Sequence, residues 1–212
     1  MRIANDPDDL TARARIRDAA MQHFGAEGFE RATIRGIAET AGVSSGLVRH
    51  HFGSKQDLRE ACDAYLVKLV RGLNAEVRDN PRATDVNYVA KSRAAMGPYQ
   101  HYLARALAEG AATPLFDELV ALSEQWIAEA DKGRADPPDV SAKVRATISS
   151  AMSLSIVVLH QQISRSLGLD ILSPEGDELL GRALIDIYSH QLMSAEDAAA
   201  ARSALDKEYR HE

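Results

Sequence analysis

The chain has a single cysteine, Cys62, so no intramolecular disulfide can form, and the disulfide-stapled scaffolds of small secreted domains are excluded. Aromatic residues are scarce, at 5% of 212 positions. No alternating apolar/polar run of useful length occurs, and no Asn-Gly or Asp-Gly pair joins two such runs, so hairpin-built folds have no support. Long apolar runs are missing too. The most apolar stretch, residues 151–159, contains Ser153 and Ser155 and is far short of the roughly 20 residues of a membrane span. No membrane partner is expected. Arg2 and Asp6 put charge within the first six residues and no apolar segment follows, which predicts no secretory leader and, with the lone cysteine, a cytoplasmic setting. No P-loop, no G-x-G-x-x-G and no H-E-x-x-H occurs, and an enzyme is the poorer reading.

What is present is ordinary for a globular protein: 45% hydrophobic and 26% charged residues, enough to bury a core. The net charge of -6 is unevenly spread. Residues 1–60 carry nine basic and nine acidic side chains, so residues 61–212 hold the whole excess. Between residues 33 and 55, Arg35, Arg49 and Lys55 face one acid, Glu39, with His50 and His51 beside them. A locally basic segment on an acidic body fits a protein that touches phosphate at one end.

Almost every segment reads as helix, and the fold class expected is all-α. A first helix is predicted from about Thr11 to Ala26, with Ile16, Ala20 and Phe24 on one face. Thr33 can cap a second, in which Ile34, Ile37, Ala38 and Ala41 recur at helical spacing before Gly42. Ser44 can cap a third, ending near Phe52, and a long fourth runs to about Arg78. Beyond it, helices are expected at about 85–108 with a kink at Gly97-Pro98, after Pro114, at 140–167, and at 174–193. The 140–167 stripe is Ile148, Met152, Ile156, Leu159 and Ile163. Ala198 to Ala201 belong to a last Ala-rich helix or a fraying tail.

Two short helices joined by a three- to four-residue turn containing glycine make a helix-turn-helix. Here the turn is Ala41-Gly42-Val43-Ser44. Gly42 suits the left-handed end of a helix, Val43 can plug the angle, and Val48 and Phe52 should face the small core. Ser45, Leu47, Arg49 and His50 are then directed outward, with closure of the small core as the equal alternative for Leu47. On a major-groove helix Leu47 would meet a thymine methyl and Arg49 a guanine edge or phosphate. Thr33, Arg35 and Lys55 stand at helix starts, where phosphate contacts are favoured.

Thr33-Ile34-Arg35-Gly36-Ile37-Ala38, Ala41-Gly42-Val43-Ser44 and His51-Phe52-Gly53-Ser54-Lys55-Gln56-Asp57-Leu58 together resemble the tetracycline-repressor (TetR) family of bacterial regulators, as does Phe24-Gly25-Ala26-Glu27-Gly28-Phe29. The resemblance covers about residues 11–60. It implies a three-helix DNA-binding domain at 1–56 and a helical effector-binding and dimerisation domain at 57–212. The DNA-contacting positions would be Thr33, Arg35, Ser44, Ser45, Leu47, Arg49, His50, His51 and Lys55. Family members often carry Thr in place of Leu47 and Tyr in place of Arg49, so the docking mode transfers and the operator sequence does not.

The resemblance further implies a homodimer on a palindromic double-stranded operator, released by a small-molecule effector of unknown identity. Candidate effector contacts are Arg93, Met96, Tyr99, Phe116, Trp126, Met152 and His160, each of which could instead be packing. Residues 140–167 and 174–193 would form the dimer, with Leu179 and Tyr188 turned toward the partner. A constitutive repressor without an effector is the alternative. Adjacent His50 and His51 lack the i, i+4 spacing of a helical ligand pair, so no metal is expected, and no cofactor.

Overall fold

The structure, a computed structural model, describes residues 7–79, 91–92, 95–134, 136–190 and 192–209. Among them are ten α-helices and no strand. They are α1 (Pro7–Glu27), α2 (Ile34–Ala41), α3 (Ser45–Phe52), α4 (Lys55–Asp79), a 3-10 turn (Gly97–Tyr99), α5 (Gln100–Ala108), α6 (Thr113–Asp131), α7 (Ala142–Val158), α8 (His160–Leu167), α9 (Pro174–Ser189) and α10 (Ala195–Tyr209).

The expected face of α1 is the centre of the core: Ile16, Ala20 and Phe24 are buried. Around them gather Ile37, Ala38 and Ala41 of α2, Val48 and Phe52 of α3, and Leu58, Cys62 and Leu66 of α4. The same cluster continues into Tyr102, Leu103 and Ala106 of α5 and Leu115 of α6. The amino-terminal helices and the body therefore share one hydrophobic interior. Close approach of α1 to α5 depends on Gly25, where an added Cβ would stand 2.8 Å from the Tyr102 backbone nitrogen.

Polar contacts hold the body helices at their edges. Arg71 of α4 makes a fork to Glu118 of α6, at 2.7 and 2.5 Å. Trp126 donates to Asn74 at 2.7 Å, and Arg78 donates to Gln125 at 2.7 Å. Between α6 and α7 the buried Ser150 hydroxyl meets Ser123 at 3.1 Å. Arg145 reaches back to Asp131, and the pair joins the two ends of the 131–141 connection.

The structure departs from the sequence expectations in several places. α1 begins a turn early, at Pro7, because proline fits the first turn of a helix, where its missing N–H costs nothing. The 140–167 segment is two helices bent by 65° at Leu159. Within its apolar stripe, Ile148 and Met152 are 57% and 61% exposed, while Ala146 and Ser150 are buried. Small side chains let α7 lie close on α6, which turns its large ones outward. The Ala-rich tail is a fifteen-residue helix, α10, opened by Ser194 and Asp197 and tied to the loop before α7 by an Arg202–Asp139 ion pair at 2.5 Å. Most of the segment expected at 85–96 lies outside the described residues. Among those described, no single helix is long and apolar enough to cross a membrane.

Candidate nucleic-acid interface

The turn between α2 and α3 is built by side-chain and backbone caps. Gly42 adopts φ 66° and ψ 39°, a left-handed conformation that most residues resist. Its N–H bonds the Glu39 carbonyl at 3.2 Å, and the Val43 N–H bonds the Ala38 carbonyl at 3.0 Å. These are the paired bonds of a Schellman ending, and half-buried Val43 packs on the core as the apolar plug. Thr33 caps α2, its hydroxyl accepting from the Gly36 N–H at 3.1 Å. Ser44 caps α3 in the same way, accepting from the Leu47 N–H at 3.1 Å.

Residues 42–46 also spell G-x-S-x-G, the spacing of a hydrolase nucleophile elbow. That elbow needs a strand before the serine and a helix after it. Here two helices flank it, and the Ser44 hydroxyl is occupied as a cap.

Within α3, Val48 and Phe52 are 1% and 8% exposed, so the helix has a single inward face. Arg49 and His50 are exposed on the other side, Ser45 and Leu47 are half-buried, and His51 is half-buried. Thr33 and Arg35 are exposed at the start of α2. Arg35 bonds Glu39 one turn on at 2.9 Å, and this contact raises the guanidinium pKa further. A phosphate at Arg35 would have to compete with that carboxylate.

Lys55 lies differently from the phosphate contact expected of it. Its ammonium donates to the carbonyls of Phe29, Glu30 and Ala32 at 2.8, 3.2 and 3.1 Å, and lies 4.5 Å over the Phe29 ring. It fastens the start of α4 to the α1–α2 loop. Asp57 finishes that junction: Ser54 donates to it from N–H at 2.9 Å and from its hydroxyl at 2.6 Å. These bonds hold the Asp57 carboxyl below the usual carboxylate range, the hydroxyl contributing most.

Sequence reasoning passed over Arg13. Its guanidinium donates to the His51 carbonyl at 2.9 Å and stacks 4.6 Å over Phe52, closing the end of α3 from α1. The available signal was the Arg13, Arg17 spacing along α1, since Arg17 likewise stacks 3.4 Å over Tyr65. His23 bonds Glu27 one turn on in α1 at 2.6 Å and joins α2 through Thr40 at 2.8 Å.

The residues proposed for effector contact are dispersed. Arg93 lies outside the described residues. Met96, Tyr99 and Phe116 are half-buried, and Tyr99 donates to Asp18 at 3.3 Å. Trp126 is 40% exposed and Met152 is more so. His160 stands 5.8 Å from His101, edge to face. An open groove of 510 Å³ between α1, α2 and the 3-10 turn includes Tyr99, and another of 340 Å³ includes His160.

Residues 16–62 match a model described as bacterial regulatory proteins, tetR family. The chain is 37% identical over 141 residues to the HTH-type transcriptional regulatory protein RaaS of Mycobacterium tuberculosis, covering 65% of this chain and 66% of that one. It is 38% identical over 68 residues to the HTH-type transcriptional regulator BetI of Rhizobium meliloti, covering 32% and 30%. The chain thus spans just under two thirds of the first curated relative and about a third of the next ones it matches. A crystal structure described as a gamma-butyrolactone receptor (ArpA like protein) superposes with a TM-score of 0.56 at 22% identity, over 72% of this chain and 81% of that one.

Proposed function

We propose that this chain is a transcriptional repressor of the tetR family that grips a palindromic operator as a homodimer, a reading supported by the family match over residues 16–62 and by the 37% identical relative. The observation that carries the reading is the division of α3. Val48 and Phe52 are locked inside while Arg49 and His50 project from a helix capped by Ser44 and turned by Gly42. A short helix with one free, basic face is what a major groove admits. Thr33, Arg35, Ser44, Ser45 and Leu47 then flank it as backbone and base contacts. His51 lies closer to the core. Lys55 acts by holding α4 in place.

The division into a DNA-binding part at 1–56 and a regulatory part at 57–212 goes with this reading, as does a cytoplasmic setting. Exposed apolar side chains on α9, among them Leu179, Ile185, Ile187 and Tyr188, support a dimer through that face. Two-fold symmetry would then set the α3 helices on successive major grooves, roughly 34–36 Å apart. An effector acts by favouring one setting of α4, the helix that leaves the DNA-binding end and enters the body. A constitutive repressor without an effector is the alternative, and the described members of the candidate effector set are dispersed rather than gathered in one pocket.

Selection of bound sequences from random DNA, followed by mobility shift across a salt series, tests the proposal. A palindromic site is expected, and Arg49→Ala should lose sequence preference at one position by about 1–3 kcal/mol. Absence of any enriched sequence would overturn it.

A further inference from the structure

We propose that the groove along the outer edge of α5, between the α1–α2 loop and the start of α8, binds a small molecule carrying a carboxylate and, one helical turn away, a flat ring. Two grooves, of 400 and 340 Å³, meet there and share Arg105 and Glu109. At the junction Glu109 stands between two guanidiniums without closing on either: its oxygens are 3.9 Å from Arg59 Nη2 and 3.9 Å from Arg105 Nη1. A charge-assisted bond between such groups is about 2.7–2.9 Å.

Both guanidiniums are fixed by other contacts. The Arg59 side chain is 13% exposed and its guanidinium lies 4.7 Å over the Phe29 ring. Arg105 donates from Nε to the Gly25 carbonyl at 2.9 Å. Of the other acids lining this end, Glu27 is engaged by His23 at 2.6 Å, while Glu30 stands exposed at the rim with Arg31 beside it. Two held forks around a gap that the resident carboxylate does not close are preorganised for a carboxylate that does.

The other end of the groove is built for a ring. His101 precedes Arg105 by four residues, about 6 Å along α5. Its imidazole meets that of His160 edge to face at 5.8 Å, and His160 Nδ1 is fixed at 2.8 Å from the Val157 carbonyl. Ala104, Ala108 and Val158 line the stretch between. A ring laid there extends the aromatic contact while its carboxylate reaches Arg59 and Arg105. The bound molecule would touch the α1–α2 loop, α4 and α8 at once.

The inference rests on the groove's own chemistry, so its test contains no DNA and can fail while operator binding stands. Calorimetric titration of the full chain uses hydrocinnamate, with acetate and hydrocinnamyl alcohol as partial probes. Both partial probes should bind about tenfold more weakly than hydrocinnamate. His160→Ala should weaken hydrocinnamate about threefold and Arg105→Gln about tenfold. Arg105 also ties α1 to α5, so the decisive variant is Glu109→Gln, on an exposed side chain. Removing the competing charge should tighten hydrocinnamate by about threefold or more. An unchanged or weaker affinity in Glu109→Gln, equal binding of the alcohol, or no binding to either protein at millimolar ligand would overturn the site.

Discussion

The two ends of this molecule bury their apolar residues to very different degrees. From α1 to the first half of α4, each periodic hydrophobe finds a neighbour: Ile16, Ile37, Val48, Leu58 and Leu66 are all at most 1% exposed. From α7 to α10 the large hydrophobes stand outside, with Val144, Ile148, Ile185 and Tyr188 all at least half exposed. Both ends are helical, so the difference does not lie in secondary structure. It lies in what each face meets. The amino-terminal helices close on one another and on α5. Those at the carboxyl end leave an apolar surface that a single chain does not cover, the condition that favours association.

Opening the buried side should have the largest effect. Phe24→Ala removes a ring packed against Phe29 and Tyr102, at centroid distances of 5.5 and 6.2 Å, and should cost about 3–5 kcal/mol in urea unfolding. On the open side the expectation reverses. Ile185→Asp with Tyr188→Asp should change the stability of an isolated protomer by only about 0.5 kcal/mol. If the proposed homodimer forms through α9, the same pair should abolish it in sedimentation velocity and weaken binding to the proposed operator. A variant that stays dimeric would place the association surface elsewhere.

How much of this was legible in the sequence follows the same division. Thr33, Gly42 and Ser44 act locally, through bonds spanning three to five residues, so spacing alone announced the caps and the turn, while the i, i+4 spacing of Val48 and Phe52 announced the inward face of α3. The carbonyl contacts of Lys55 were not legible, because its acceptors are 23 to 26 residues distant, in a loop that no spacing connects to it. The break at Leu159 has no proline or glycine to mark it. Periodicity named the stripe through Ile148 and Met152 correctly as apolar, but periodicity cannot say what covers a stripe. That depends on tertiary contact, and here the small residues Ala146 and Ser150 won the inner face.

Two smaller losses are expected within the buried end. Lys55→Met keeps an apolar stem against Phe29 and removes the donor shared by three carbonyls; a loss of about 1–2 kcal/mol is expected in chemical denaturation. Its salt dependence of DNA binding should match that of the unmodified protein, whereas a phosphate-contacting lysine would lower the slope by about one. Gly42→Ala forces a side chain into the left-handed region at φ 66° and should cost about 1 kcal/mol, read as a drop in melting temperature.

The mildest effect belongs to Asp57, and its sign can be worked out. Ser54 stabilises the charged carboxylate in the folded chain, through its hydroxyl first and its N–H second, so the folded-state pKa lies below the unfolded one. The unfolded value is about 3.9. A depressed folded pKa gives stability that is fully present above the unfolded value and is lost as pH falls through the folded one. Asp57→Asn removes that pH-dependent part while keeping a side chain of similar shape. The melting-temperature gap between the two proteins should therefore be constant from neutral pH down to about 5 and narrow below about 4, as the native carboxyl takes up its proton. A gap that stays the same at pH 3 would mean that the α4 start is held by Lys55 and backbone geometry, and that the carboxylate contributes only through its shape.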